Sequence, residues 1–159
     1  MTEFEVGNLS ETDKAWLAGI IDGEGSIFVM KQKRKDRERD TNYILRVTVQ
    51  STDKFMCPKI HSLVGGPVIW EQRDKRENCK NTYKWQCNGK KAAKFLKAIR
   101  PYLVVKADQA DVAIGFQENT KKHWKHMTQV DYVNQEFAYH ELKHLKAESC
   151  VLINGTPPH

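Results

Sequence analysis

The hydrophobic and polar positions of the first 25 residues follow the period of an amphipathic helix. The bulky positions on one side are Trp16, Leu17, Ile20 and Ile21. The small positions on the other side are Ala15, Ala18, Gly19 and Asp22. The segment SETD at 10–13 is typical of an N-terminal capping box, and Gly23 and Gly25 predict a helix end at Asp22. Small side chains let backbones approach closely, so the small face is predicted to pack against a second helix.

The remaining pattern predicts two pairs of strands separated and followed by helices. Strands are predicted at 26–33, 44–50, 67–72 and 81–87, with a charged connection inside each pair. Helices are predicted from the STDKF segment to Gly65 and Gly66, from 89 to the stop before Pro101, and at 106–121 and 129–147. The order α-β-β-α-β-β-α with helical additions predicts an α+β fold, built as a single domain over 1–159.

The composition narrows the class of protein. No apolar run approaches the ~20 residues that cross a bilayer, so no membrane partner is expected. The acidic N-terminal segment has neither a signal-peptide nor a transit-peptide pattern, so we expect a protein that is not secreted. We expect it to work where it is made, in an organelle such as a chloroplast or mitochondrion, or in a prokaryotic cytoplasm. Four cysteines and six histidines show no zinc-binding spacing.

The charge is distributed unevenly along the chain, whose formal net charge is +6. Residues 1–25 contain six acidic side chains and a single basic one. Residues 78–107 contain eight basic side chains and no acidic one, and 31–40 contain six basic and three acidic ones. Such basic stretches favour a polyanionic partner.

Two carboxylates stand among glycines where the first helix is predicted to end. Asp22 and Glu24 lie in the stretch LAGIIDGEGS at 17–26. Because the C-terminus of a helix carries the negative end of its dipole, each anion there costs about 0.3 to 1 kcal/mol at an exposed site. The pattern therefore predicts that a positive group from outside the sequence binds at this point.

These residues carry a resemblance to a known family. WLAGIIDGEGSIFV at 16–29 resembles the LAGLIDADG motif of homing endonucleases, and GGPVIW at 65–70 and GKKAAKFLKAIRPYLVVKADQA at 89–110 are similar to the same family. The element order agrees, so the resemblance covers nearly the whole chain. It implies a curved four-stranded antiparallel sheet with helices on one face. It also implies an intron-encoded, site-specific endonuclease that makes a staggered double-strand break with 3′ overhangs in a long pseudo-palindromic site of double-stranded DNA.

The single motif implies a homodimer, since no second LAGxxDGEG is present. The small face, with Ala15, Ala18, Gly19 and Asp22, would then form the dimer seam, and the two Glu24 carboxylates would meet near the two-fold axis. Two such carboxylates repel unless cations lie between them. Mg²⁺ is the expected cofactor, with Mn²⁺ as an alternative and Ca²⁺ as a non-cleaving substitute.

The resemblance also implies residue roles. Glu24 matches the carboxylate ligand of the metal, and Gly23 contributes its carbonyl oxygen. Lys106 matches a catalytic basic residue near the scissile phosphate. Gln50 matches a catalytic residue that positions water, although a one-residue shift of the strand would put Ser51 there instead. Asp22 matches a motif acid that is not the principal ligand, and a local hydrogen-bonding role at the helix end is an equal alternative.

The predicted DNA-binding surface combines one face of the sheet with the charged connections. The sheet positions are Phe28, Met30, Gln32, Arg46, Thr48, Lys84 and Gln86. The positions on connections are Arg34, Arg37, Arg73, Lys75 and Arg76. A simple core position is the alternative for Phe28 and Met30.

Two other functions are consistent with the same fold. An intron RNA-splicing maturase or a DNA-binding regulator without cleavage would not need Glu24 and Lys106 together, and both are present. A metabolic enzyme is disfavoured because neither a nucleotide-binding glycine fingerprint nor a nucleophile triad occurs.

Overall fold

The computed structural model describes residues 4–33, 35, 41–66, 70–72, 75–76, 79–120 and 126–154. The helices are α1 (Glu11–Glu24), α2 (Met56–Val64), α3 (Gly89–Ile99), α4 (Ala107–Asn119) and α5 (Gln129–Asn154). The strands are β1 (Gly25–Lys33), β2 (Thr41–Ser51), β3 (Trp70–Gln72) and β4 (Thr82–Asn88). A short 3-10 turn, Arg100–Tyr102, joins α3 to the segment before α4.

The strands form one antiparallel sheet in the order β1-β2-β4-β3. Alternate side chains of its central strands, including Ile27, Val29, Leu45 and Val47, are buried against the helices. We call this side the helix face and the opposite side the open face. The predicted α+β order and the helices on one face of the sheet are confirmed.

Several element ends differ from their predicted positions. β2 spans 41–51 instead of 44–50, and α5 continues to 154 instead of 147. β3 covers only 70–72 of the predicted 67–72, and 67–69 lie outside the described residues. The paired glycines after α2 do end that helix, because Gly65 and Gly66 have φ angles of 70° and 107°, which glycine adopts without strain.

The first helix runs two residues beyond its predicted end. It includes Gly23 and Glu24, and Gly25 is its C-cap, where the backbone N–H donates to Ile20 O and Ile21 O. Glycine at 23 lowers helix propensity but does not break the helix. At the N-terminus, the backbone N–H of Asp13 donates to Ser10 Oγ over 3.1 Å, as the capping pattern predicts.

The buried face of α1 differs from the predicted bulky face. Leu17, Ala18 and Ile21 are at most 1% exposed, whereas Trp16 is 38% exposed. Ala18 packs in the core because its small side chain allows the helix to lie close to its neighbours. Its assignment to a dimer seam is therefore wrong, since no part of it is accessible at the surface.

Position 25 requires glycine because there is no room for a side chain. Its φ of −84° is open to any residue, but a Cβ at this position would lie 2.7 Å from Ile21 Cα and 2.9 Å from Ile21 O. Both are backbone atoms that cannot move without disturbing α1. At Gly23, by contrast, nothing lies within 4 Å of an added Cβ.

The two glycines are predicted to respond in opposite ways to alanine. Gly25→Ala should destabilise the protein by about 1 to 3 kcal/mol through overpacking, and Gly23→Ala should stabilise the helix of the isolated chain by up to about 1 kcal/mol. Chemical denaturation of each variant beside the parent protein measures both. Equal stabilities for the two variants would contradict the close contact at Gly25.

None of the helices among the described residues is long and apolar enough to span a membrane.

Candidate functional site

The end of α1 leads directly into β1, which pairs with β2. Gly25 pairs with Val49 in the antiparallel ladder. Glu24 immediately precedes Gly25 and Gln50 immediately follows Val49, so both residues adjoin this pair at the end of the ladder. The fold thus brings the motif carboxylate to the end of β2, at the sheet edge where α1 stops.

Glu24 is the last residue of α1, and its side chain is exposed. Among the described residues it has no hydrogen-bond or ion-pair partner, although it interacts electrostatically with Lys106. Gly23, beside it, is also exposed. A solvent-facing carboxylate next to main-chain carbonyls is thus available to a ligand.

Asp22, in contrast, is fully engaged within the chain. Its Oδ2 accepts a hydrogen bond from the backbone N–H of Val104 over 2.8 Å, and its Oδ1 accepts one from the backbone N–H of Lys106 over 2.9 Å. Asp22 thus forms hydrogen bonds at the helix end, but they are not the local ones that the sequence suggested, because the partners are 82 and 84 residues away. Its placement at a dimer seam has no support, because both carboxylate oxygens face the chain's own loop.

Lys106 returns to the same helix end. Its Nζ donates to Ile21 O and Asp22 O, each over 2.7 Å. These are carbonyl groups of the last turn of α1, where main-chain oxygens are not all satisfied within the helix. Burial lowers the pKa of Lys106, an effect that the nearby Asp22 and Glu24 oppose and that Lys146 reinforces.

The expected positive charge at the end of α1 is therefore present within the chain. Lys106 approaches from 84 residues away in sequence and supplies part of that charge, which the local sequence did not indicate. One ammonium faces two carboxylates and the negative end of a helix dipole, so the local charge remains negative at Glu24.

The strand register shows that Gln50 and Ser51 lie on opposite faces of the sheet. Val49 is fully buried on the helix face, so Gln50 lies on the open face, where its Nε2 donates to Thr82 Oγ1 over 3.3 Å. Ser51 lies on the helix face, and its Oγ accepts a hydrogen bond from the backbone N–H of Asp53. Of the two candidates, Gln50 is thus the one whose side chain lies on the open face.

The predicted sheet positions share the open face. Phe28 pairs with Arg46, and Thr48 pairs with Gln86. The even-numbered positions of β1, β2 and β4 therefore project together. These positions are Phe28, Met30, Gln32, Arg46, Thr48, Gln50, Lys84 and Gln86. Phe28 and Met30 alternate with the buried Ile27 and Val29, so neither is a core residue between sheet and helices.

The predicted DNA-binding residues differ in how much of their side chain is exposed. Thr48 is only 8% exposed between its neighbours on β1 and β4, so it presents little to a ligand. Lys75 and Arg76 are exposed on the connection before β4. The predicted positions Arg34, Arg37 and Arg73 lie outside the described residues.

Several residues at these surfaces were not predicted. Asn88 accepts a hydrogen bond from Arg46 Nε over 3.0 Å, and Thr82 accepts one from Gln50. Both could have been found by extending the alternation of β4 by one position. Lys143 and Lys146 of α5 were also not predicted; with residues of β1 they line a cavity of about 440 Å³. The aperiodic sequence of α5 gives no signal for this packing.

A stripe of small residues on α1 faces away from the core. Ala15, Gly19 and Gly23 are exposed and follow each other at intervals of four residues, which places them on one side of the helix. An added Cβ at Gly19 or Gly23 would meet nothing within 4 Å. We call these three residues the small stripe; Ala15 and Gly19 belong to the predicted seam, and Gly23 adjoins it.

The donor atoms at this helix end are of the kind that a hard divalent cation prefers, but one chain supplies few of them. Among the described residues, no group of three or more His, Cys, Asp and Glu side chains could hold a metal ion. One chain supplies the Glu24 carboxylate and main-chain carbonyl oxygens. These are the oxygen donors that Mg²⁺ and Ca²⁺ prefer, but one protein carboxylate per ion is a sparse set.

The family model of the LAGLIDADG endonuclease matches residues 17–112, and the chain therefore belongs to this family. The match contains both Glu24 and Lys106 and ends within α4. Among curated proteins, none matches the chain.

Solved structures of homing endonucleases share the fold. The archaeal intron-encoded I-Vdi141I, complexed with DNA, is 16% identical with a TM-score of 0.71, over 85% of this chain and 84% of that one. I-SmaMI bound to cleaved DNA is 17% identical with a TM-score of 0.66, over 99% of this chain and 53% of that one. I-CvuI, in complex with DNA that is not cleaved in the presence of 2 mM Mg, is 20% identical with a TM-score of 0.58, over 94% and 87%.

Proposed function

We propose that the protein is a homodimeric, site-specific homing endonuclease. In this proposal it hydrolyses phosphodiester bonds with the help of divalent metal ions and makes a staggered double-strand break with 3′ overhangs. The DNA site is long and pseudo-palindromic, because each protomer offers the same sheet to one half-site.

The observation that carries the proposal is that α1 presents both the exposed Glu24 and the small stripe. Glu24 is exposed and without a bonding partner among the described residues, and Ala15, Gly19 and Gly23 leave room for close approach of another helix. Two copies packed through this stripe bring two Glu24 carboxylates together. The sparse donor set of one chain is then completed by its partner.

A divalent ion bound there, through Glu24 and the Gly23 carbonyl, supplies charge neutralisation and an activated water. Mg²⁺ is the proposed cofactor; the structures of I-CvuI with DNA were obtained in the presence of 2 mM Mg in one case and 2 mM Ca in another, which supports a divalent ion.

Two side chains then act on the substrate in this proposal. Gln50, on the open face at the end of β2, orients the attacking water through its amide. Lys106 has three ammonium donors, of which Ile21 O and Asp22 O take two, so one can reach a phosphate oxygen. Its role is to stabilise the charge that develops on the phosphate.

The open face is the proposed DNA-binding surface. Arg46, Lys84 and Gln86 offer donors that can read base edges or hold phosphates. The basic side chains of α3, including Lys94, lie instead on the helix-covered side of the sheet.

Salt dependence is predicted to distinguish the two sides of the sheet. Lys84→Ala should reduce the log-log slope of DNA affinity against salt by about 0.9, the contribution of one phosphate contact. Lys94→Ala removes the same charge from the other side and should leave the slope unchanged. Fluorescence anisotropy between low and moderate salt measures the DNA affinity of both variants. Equal slopes for the two would argue against the open face as the DNA-binding surface.

The function itself is tested by incubation with a randomised duplex library and Mg²⁺, followed by sequencing of the cut ends. The expected product is a set of ends with matching 3′ overhangs that converge on one pseudo-palindromic site. Binding without any cut product would overturn the endonuclease proposal in favour of a regulator.

A further inference from the structure

We propose that Asp22 is a positioning residue for cleavage, which fixes the loop before α4 so that Lys106 is held against the end of α1 beside Glu24. This inference rests on the proposed nuclease function. It replaces the expected place of Asp22 in a dimer seam with a role inside each active centre.

The geometry is a closed ring of contacts between two segments. Asp22 accepts from the backbone N–H groups of Val104 and Lys106, and the side chain of Lys106 donates back to the carbonyls of Ile21 and Asp22. All four distances lie between 2.7 and 2.9 Å. These contacts hold the two segments together. Asp22 lies one residue before the exposed Gly23 and two residues before Glu24.

A carboxylate is needed because both of its oxygens accept. The bonds to the two backbone N–H groups are charge-assisted, and each oxygen serves a different residue of the loop. Asparagine offers a single acceptor oxygen, and its NH₂ group would meet the second N–H donor to donor. Asp22→Asn therefore keeps the volume but breaks one side of the ring.

The backbone contact matters because Lys106 has a long and flexible side chain. Its four-carbon stem does not aim the ammonium by itself. No side-chain hydrogen bond caps the start of α4 at Lys106. Asp22 fixes the backbone from which Lys106 extends, and that backbone sets where the ammonium lies relative to Glu24.

The first measurement is hydrogen exchange of the Val104 and Lys106 amides in the homodimeric protein. Both amides should be protected in the parent protein and should exchange at least tenfold faster in Asp22→Asn. Asp13→Asn, the same substitution at the other end of α1, is the control and should leave both amides protected. Protection that persists in Asp22→Asn would overturn the proposed ring.

The second measurement is a double-mutant cycle on single-turnover cleavage. A displacement of about 1 Å at a catalytic group can cost 100-fold in rate, so Asp22→Asn should slow cleavage by about that factor while the DNA dissociation constant stays within threefold. Because Asp22 acts through Lys106, adding Asp22→Asn to Lys106→Met should slow the reaction no further.

The outcomes separate the inference from the function. If the parent protein cleaves and the two substitutions multiply their effects, Asp22 has a general structural role and the inference is wrong. If Asp22→Asn fails to fold, Asp22→Glu keeps the charge but displaces it by a methylene and should show the same lack of additivity with a smaller rate loss. A parent protein that does not cleave contradicts the nuclease proposal, whereas the amide exchange still reports on the ring.

Discussion

Glu24→Gln is expected to abolish cleavage in Mg²⁺ while DNA binding in Ca²⁺ or metal-free buffer stays equal or becomes tighter. Glu24 is exposed and has no hydrogen-bond or ion-pair partner among the described residues, so the substitution breaks no such bond with them and removes only its electrostatic interaction with Lys106. The amide keeps the volume but loses the charge that would hold the ion. Near phosphates an unneutralised carboxylate is repulsive, so its removal should not weaken association.

The matched control is Glu11→Gln at the opposite end of the same helix. It removes the same charge from an exposed glutamate whose carboxylate contacts only Lys14 among the described residues. Cleavage should be unchanged in this variant. If Glu24→Gln still cut both strands at the parent rate, Glu24 would not be the metal ligand and the reaction would depend on other residues.

Gly19→Leu is expected to separate the protomers and thereby to remove cleavage. The glycine is exposed in the middle of the small stripe, and a Cβ there would meet nothing within the chain. Leucine has a higher helix propensity by up to about 1 kcal/mol, so the monomer should be at least as stable. Dimer loss by sedimentation, together with unchanged or raised thermal stability, distinguishes a seam from a folding defect.

Gly115→Leu in α4 is the control for this substitution. Gly115 is also helical and also has nothing within 4 Å of an added Cβ. It lies away from the small stripe and should leave the dimer and its activity intact. A dimer of unchanged mass and activity in Gly19→Leu would contradict the packing of two α1 helices through this face.

The part of the fold that sequence predicted follows from local patterns. Alternation of apolar and polar residues in β1, β2 and β4 gave the correct inward and outward positions, because the period of a strand leaves two choices and the buried residues select one. Buried Val47 and Val49 place Gln50 outward. Gly65 and Gly66 marked the end of α2 and Pro101 the end of α3 through their backbone restrictions, whereas Gly23 did not end α1.

The part that sequence did not predict depends on tertiary contacts. The helical pattern of α1 allowed a bulky face and a small face, but Ala18 is buried because the neighbouring elements approach closely at that point. The ring between Asp22 and Lys106 joins residues 84 apart, and no local pattern encodes it. The same separation in sequence explains why the local pattern did not indicate a lysine at this helix end.

The central claim, that each of two chains contributes one Glu24 to a shared cleavage centre, is tested most directly with mixed dimers. Differently tagged parent and Glu24→Gln chains are co-expressed, and the heterodimer is purified and supplied with the DNA site recovered from the library. We expect this heterodimer to bind the site normally but to make no double-strand break in Mg²⁺, because one carboxylate of the pair is missing. Double-strand cleavage by the purified heterodimer at the rate of the parent homodimer would contradict the claim.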